Sequence, residues 1–185
     1  LVSYIEWGPE CVNHINGIFA FGVWDEYNKT LFLARDHLGV KPLFYSYKDD
    51  NLIFASQIKA LLANPMAKPV IDEEGIMEIF GLGPARSLGS GIFKDIREIP
   101  PAHCLLSRDG NVNIKEYWKL EAKPHEDNFE QTRDTVRNLF VDAVERQLVS
   151  DVPLCTFLSG GLDSSAISAV ASNYFKEHNR GTLNT

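Results

Sequence analysis

An apolar run of strand length, Pro153-Leu154-Cys155-Thr156-Phe157-Leu158, opens into a loop of small residues, Ser159-Gly160-Gly161-Leu162-Asp163-Ser164-Ser165. The chain then continues through Ala166-Ile167-Ser168-Ala169-Val170-Ala171, which reads as a helix. Strand, small-residue loop and helix, in that order, build an anion site. The first turn of a helix has backbone N–H groups without an intrahelical partner and the positive end of the dipole, so it favours a phosphate. Glycines let the backbone approach phosphate oxygens closely, and serine hydroxyls add uncharged donors. Asp163 is the odd member, because a carboxylate repels bound phosphates unless a cation sits between them. Its presence implies Mg²⁺, a hard ion commonly held by one or two carboxylates plus phosphate oxygens. The loop has no G-x-x-x-x-G-K-[ST] and no lysine, so it is not a Walker A sequence.

Ser159, Gly160, Gly161, Asp163 and Ser164 fill every defining position of S-G-G-x-D-S. The stretch resembles the PP-loop of ATP pyrophosphatases, enzymes that split ATP between its α- and β-phosphates to adenylate a carboxylate or a carbonyl oxygen. The resemblance implies that Ser159, Gly160, Gly161 and Ser164 cradle the phosphates of ATP, that Asp163 binds Mg²⁺, and that the backbone at Leu158 meets the adenosine part.

A net charge of −7 and a pI near 5.2 leave no basic stripe to neutralise phosphates, so nucleic acid is not the expected partner. No apolar segment is long enough to span a bilayer and no signal-peptide pattern opens the chain, so no membrane association and a cytoplasmic location are expected. Cys11, Cys104 and Cys155 are odd in number and lack C-x-x-C spacing, which suggests neither a disulfide framework nor a zinc site; each is expected to be a small buried apolar side chain. Leu1 is no initiator methionine, and Thr185 follows the loop too soon for a nucleotide-binding sheet to be complete. The chain is expected to be an internal piece of a longer polypeptide.

Ahead of the loop the sequence is strand-rich. Residues 2–13 read as the tail of a helix and a turn. Gly17 to Trp24 and Thr30 to Arg35 are apolar on both faces and predict two covered strands joined by the polar connector 25–29. Leu43 to Tyr47 and Asn51 to Ala55 predict two more, the four forming an antiparallel meander, before a short capped helix from Ser56 to Leu62. Residues 64–71 read as a linker, and Asp72 can cap a helix through Phe80 that Gly81-Leu82-Gly83-Pro84 ends. Asp109-Gly110 between the apolar runs 103–107 and 111–118 is a strong hairpin signal.

The runs Gly17-Ile18-Phe19-Ala20-Phe21 and Ala34-Arg35-Asp36-His37-Leu38-Gly39-Val40-Lys41-Pro42-Leu43, followed by Phe54-Ala55-Ser56-Gln57-Ile58-Lys59-Ala60-Leu61, are similar to the later half of the class II glutamine amidotransferase domain. That resemblance implies an N-terminal-nucleophile fold of two stacked antiparallel sheets between helices, an αββα sandwich, over residues 1–120. The R-D-x-x-G-x-x-P-L element is shared with amidophosphoribosyltransferases and names only the superfamily. Arg35, Asp36, His37 and Lys41 are read as structural, because a charge pair where a buried strand meets a turn satisfies backbone groups and one another. His103 is read as a turn or packing histidine. The family's glutaminase machinery is a cysteine at the mature N-terminus, an arginine, an N-G-E element and an S-D-x-E element, all ahead of the Gly17 strand. None is present here, so no catalytic residue is assigned and this chain alone is not expected to hydrolyse glutamine. Pro100-Pro101-Ala102-His103 and the closing Tyr117-Trp118 resemble the end of the same domain in asparagine synthetases, with Ala102 at a glycine position.

Residues 121–128 form a charged linker. Phe129, Val136, Leu139, Phe140, Ala143, Val144 and Leu148 then recur at three- and four-residue steps, predicting an amphipathic helix capped by Asp127 or Asn128 with Glu130 or Gln131. This helix is expected to pack on a sheet beginning at Pro153, so that residues 129–185 open a parallel-sheet PP-loop domain of the adenine-nucleotide α-hydrolase type. The two partial signatures in this order resemble glutamine-dependent asparagine synthetases. The resemblance implies an α+β domain followed by an α/β domain, and a ligase that uses ATP and Mg²⁺ to adenylate aspartate. Ammonia taken from glutamine then displaces AMP to give asparagine. The implied partners are small molecules, aspartate, glutamine or ammonia and ATP, with the full-length protein as a homodimer. β-Lactam synthetases and lasso-peptide cyclases share the architecture, and a non-catalytic interaction domain is the reading from another class.

Overall fold

Strand β2 (Thr30–Arg35) is covered on both faces, as its unbroken apolar run predicts. In the computed structural model, which describes residues 1–185, Phe32, Leu33 and Ala34 are all fully buried. Phe32 and Ala34 face one cluster, with Cys11 and Val12 of a 3-10 turn (Gly8–Asn13) and Tyr4 of helix α1 (Val2–Trp7). Leu33 faces the other way, onto Leu43, Ile99 and Leu105. A strand with a layer on each side needs apolar residues at every position.

The chain forms two compact units, residues 1–121 and 122–185. In the first, a four-stranded antiparallel sheet runs in the order β1 (Ala20–Asp25), β2, β6 (His103–Arg108), β7 (Asn111–Glu116). A three-stranded antiparallel sheet runs β4 (Asn51–Ala55), β3 (Phe44–Lys48), β5 (Ile96–Glu98). The sheets meet through Leu33, Leu105, Leu43 and Ile99, with Tyr45 and Leu52 packed around them. The other face of the smaller sheet, at Phe44 and Ile96, is covered by Leu61 of helix α2 (Ile58–Leu62) and by Ala67. Helix α3 (Glu73–Leu82) begins at Asp72, whose carboxylate accepts from the Gly75 N–H.

The four successive strands do not form one meander. The chain leaves the first sheet after β2 and enters the second at β3, because residues 36–42 are folded into a turn by two buried charged side chains described below. Strand β1 is also not covered on both faces within this chain: it lies at the sheet edge and Trp24 is exposed. Helix α2 starts without a side-chain cap, so Ser56 does not serve as one. The hairpin at Asp109-Gly110 forms as its sequence predicts, with Arg108 opposite Asn111.

Gly39 sits at φ 67°, and a Cβ there would lie 2.6 Å from Pro101 Cγ and 3.1 Å from Arg35 Cζ. Gly39→Ala is therefore expected to destabilise the first unit by about 1–3 kcal/mol, from left-handed strain and overpacking together. A thermal melt of the variant against the native protein checks this, and an unchanged midpoint would contradict it.

In the second unit, helix α4 (Phe129–Arg146) opens with a full capping box: Asn128 Oδ1 accepts from the Gln131 N–H, and Gln131 Oε1 accepts from the Asn128 N–H, each at 3.0 Å. Its apolar stripe is buried only at its C-terminal end. Val144 and the following Leu148 pack with Ala171 of helix α5 (Leu162–Glu177), while Phe129, Val136 and Leu139 stay exposed. The expected strand from Pro153 is present only as a single parallel bridge, Cys155 with Asn184, supported by the Thr156 N–H donating to Asn184 O at 3.0 Å. Within these residues only the segment at Asn184 pairs with it, through that one bridge. Cys11 and Cys104 are buried, as expected of small apolar side chains, and burial pushes both thiols up. Cys155 is exposed, contrary to that expectation.

Candidate functional site

The loop from Leu158 to Ser164 is an open turn at the start of α5. Gly161 is the N-cap residue and makes no side-chain cap, so the first-turn N–H groups keep their donors. Gly160 lies at φ 85°, and a Cβ there would meet nothing within 4 Å. That left-handed conformation is one only glycine adopts without strain, and the open space lets a ligand reach the backbone. Ser159 Oγ and Ser164 Oγ lie 3.0 Å apart across the turn, and Ser164 Oγ also donates to Gly161 O at 3.2 Å. Thr156, Phe157, Ser159, Gly161, Asp163, Ser164 and Ile167 line one open cleft of about 470 Å³.

The structure thus brings Ser159, Gly161, Asp163 and Ser164 together around a single cleft. Leu158 is exposed beside it with Phe157, and Gly160 forms its outer bend. Asp163 lies in the first turn of α5 and is the one carboxylate of the cleft. No cluster of three or more His, Cys, Asp or Glu side chains able to hold a metal exists in the chain. A metal at Asp163 would therefore take most of its ligands from phosphate oxygens and water, which is how Mg²⁺ is commonly bound. The donor set fits a magnesium nucleotide: unpaired N–H groups, two hydroxyls, one carboxylate and no lysine.

The sequence reading missed a hydroxyl pair beneath this loop. Ser168, buried on the second turn of α5, donates from its Oγ to Thr156 Oγ1 at 2.9 Å. Its only signal in the sequence is a serine four residues after Ser164, on the same helix face, and a threonine in the preceding apolar run.

Arg35 and Asp36 are structural, as read from the sequence, but their partners are more numerous. Arg35 donates to the carbonyls of Lys41 (2.7 Å), Ile99 (2.6 Å) and Gly39 (2.8 Å). It pairs with Glu98 of β5 at 3.1 Å, with both side chains nearly buried, and so joins the two sheets. The Asp36 carboxylate accepts from the N–H groups of Leu38, Val40 and Lys41. Burial pushes this carboxyl up, but the three N–H donors and Arg35 outweigh it and hold the pKa below the ordinary carboxylate value. Arg35 and Asp36 therefore satisfy the turn, and the ion pair is with Glu98, which the sequence reading did not single out. Tyr117 O–H donates to Arg35 O at 2.6 Å, and burial first, then the Asp36 charge, raises its pKa. His37 packs edge-on against Tyr117 and Trp118, and His103 Nδ1 lies 2.8 Å from Pro101 O, both packing and turn roles. Ala102 holds φ 59°, the backbone conformation that explains a glycine at this position in the resembling family.

Comparison with known proteins follows the same division. The family model described as "Glutamine amidotransferase domain" matches residues 1–118, and the one described as "Asparagine synthase" matches residues 135–185. The chain is 58% identical over 186 residues to glutamine-hydrolyzing asparagine synthetase 3 of Bacillus subtilis, covering 100% of this chain and 30% of that protein. It is 31% identical over 178 residues to glutamine-hydrolyzing asparagine synthetase B of Escherichia coli, covering 94% of this chain and 26% of that protein. It is also 31% identical over 196 residues to amidase chry2 of Gibberella zeae, covering 96% of this chain and 26% of that protein. The chain spans between about a quarter and a third of the length of these relatives. No helix is long and apolar enough to cross a membrane.

Proposed function

The chain belongs to the glutamine amidotransferase domain family and carries an asparagine-synthase match behind it, and from this we propose that it works as part of a glutamine-hydrolysing asparagine synthetase. Residues 1–120 form the later part of the amidotransferase sandwich, 121–128 the linker and 129–185 the opening of a PP-loop synthetase domain. The observation that carries the reading is the succession of the two family matches in one chain, with the open first turn of α5 falling inside the second.

In this reading the first-turn N–H groups of α5, with the Ser159 and Ser164 hydroxyls, bind the phosphates of ATP. Gly160 and Gly161 let the phosphates approach, and the Leu158 backbone meets the adenosine part. Asp163 would hold Mg²⁺, and the bound ion would supply positive charge to neutralise pyrophosphate as a leaving group. The β-carboxylate oxygen of aspartate attacks the α-phosphorus, the bond to pyrophosphate breaks, and ammonia then attacks the acyl carbon and displaces AMP. Nitrogen comes from glutamine, hydrolysed by a nucleophile outside these residues, and the whole reaction takes place in the cytoplasm.

The test is product analysis with the full-length protein, ATP, aspartate and either glutamine or ammonia. Equimolar AMP, pyrophosphate and asparagine are expected, with no product when aspartate is omitted. ADP in place of AMP, or AMP formation indifferent to aspartate, would overturn the reading. AMP and pyrophosphate formed only when a carboxylate other than aspartate is supplied would favour a relative of the β-lactam-synthetase or cyclase type.

A further inference from the structure

We infer that Thr156 and Ser168 act as a positioning pair that fixes the opening of the 159–164 loop, an inference that rests on that loop being the ATP phosphate cradle. Two hydroxyl contacts cross the loop. The outer one, Ser159 Oγ to Ser164 Oγ at 3.0 Å, joins residues five apart at its mouth. The inner one, Ser168 Oγ to Thr156 Oγ1 at 2.9 Å, joins residues twelve apart at its base. Thr156 is held on its other side as well, because its N–H donates to Asn184 O at 3.0 Å. It therefore ties three segments together: the run entering the loop, the helix leaving it and the 183–185 segment alongside.

Between these contacts the loop has little else to place it. Phe157, Leu158 and Leu162 are exposed, and Gly160 has no neighbour within 4 Å of a built Cβ. The distance between the loop's two ends is consequently set at its base, where a hydrogen bond of fixed length and direction spans from the incoming run to the second turn of α5. Valine and alanine would fill the same volume without that direction. Ser168 is buried and Thr156 half-buried, and the bond between their hydroxyls forms only when the incoming run and α5 lie in this arrangement, so it favours that arrangement. Thr156 also lines the cleft, so a shift at the base of the loop is felt on the ligand side.

The variants Thr156→Val and Ser168→Ala separate positioning from folding. When Thr156 loses its hydroxyl, Ser168 Oγ can turn to the carbonyl one helical turn back, so stability changes little. Phosphate binding is weakened equally in the ground state and the transition state, which raises KM and spares kcat. One hydrogen bond lost from positioning corresponds to about a 3- to 10-fold increase in the KM for ATP in pyrophosphate release by the full-length protein. The double variant is expected to be no worse than the poorer single variant, and Thr156→Ser to restore the native KM. An unchanged KM in Thr156→Val, additive effects in the double variant, or a Thr156→Ser no better than Thr156→Val would overturn the pairing. So would a fall in kcat at unchanged KM with a lowered melting temperature, which marks loss of folded protein. Asp163→Asn, measured alongside, keeps the two claims apart. If it abolishes pyrophosphate release while the pair's variants behave as native, the pair's role fails and the cradle stands. If it has no effect, the cradle fails and the pair's role with it.

Discussion

Asp163→Asn in the full-length protein is expected to lower aspartate-dependent pyrophosphate release by about 10²–10³-fold or more, the scale on which removal of one charge-stabilising group acts, and to leave glutaminase activity intact. Asp163 lies on the first turn of α5, in a region that otherwise presents N–H groups and hydroxyls to an anion. Asparagine keeps the size and one acceptor oxygen but removes the negative charge that would hold a divalent cation. The residues that match the amidotransferase family lie in the other compact unit, so a glutaminase assay on the same preparation reports on that part of the protein, and a thermal melt alongside separates a lost metal site from a misfolded protein. Undiminished pyrophosphate release would remove Asp163 from the metal site.

Arg35→Met is expected to destabilise the first unit by about 3–5 kcal/mol, the cost of breaking a buried ion pair from one side. It leaves Glu98 with only the distant Arg86, at 3.9 Å, and orphans three carbonyls that Arg35 now serves. Adding Glu98→Leu should recover part of the loss, since it removes the stranded charge but not the unserved carbonyls. Denaturant melts of the two variants measure both quantities, and an Arg35→Met loss under about 1 kcal/mol, typical of an exposed pair, would contradict the account. Asp36 adds a pH dependence of known sign. Its pKa in the folded protein lies below the ordinary value, so its stabilisation is complete above the ordinary carboxylate range and is lost as pH falls through the lowered folded value. Asp36→Asn should therefore cost most near neutral pH and converge on the native protein in acid.

The sequence made local patterns legible and left their assembly open. Asp127 or Asn128 with Glu130 or Gln131 marks a helix start through chemistry confined to a few residues, and the structure selects Asn128 and Gln131 with both reciprocal contacts. Asp109-Gly110 fixed a hairpin in the same way. What escaped was whatever depends on residues far apart in the chain. The strands between residues 20 and 55 read as one meander, whereas the structure divides them between two sheets that Arg35 and Glu98, 63 positions apart, join. The apolar stripe of α4 promised burial along its length, yet a periodic pattern does not say which surface covers it. At the loop, five motif residues were named from S-G-G-x-D-S alone, whereas Thr156 and Ser168 belong to no motif and become visible only once strand and helix lie side by side.

Aspartate labelled with ¹⁸O in its β-carboxylate offers the most direct trial of this account. When a carboxylate oxygen bonds to the α-phosphorus and ammonia later breaks the acyl C–O bond, that oxygen leaves on AMP. The full-length protein, given labelled aspartate, ATP and a nitrogen source, is expected to yield AMP carrying one ¹⁸O for each asparagine formed, with pyrophosphate unlabelled. AMP free of label, or label found in pyrophosphate or inorganic phosphate, would contradict it.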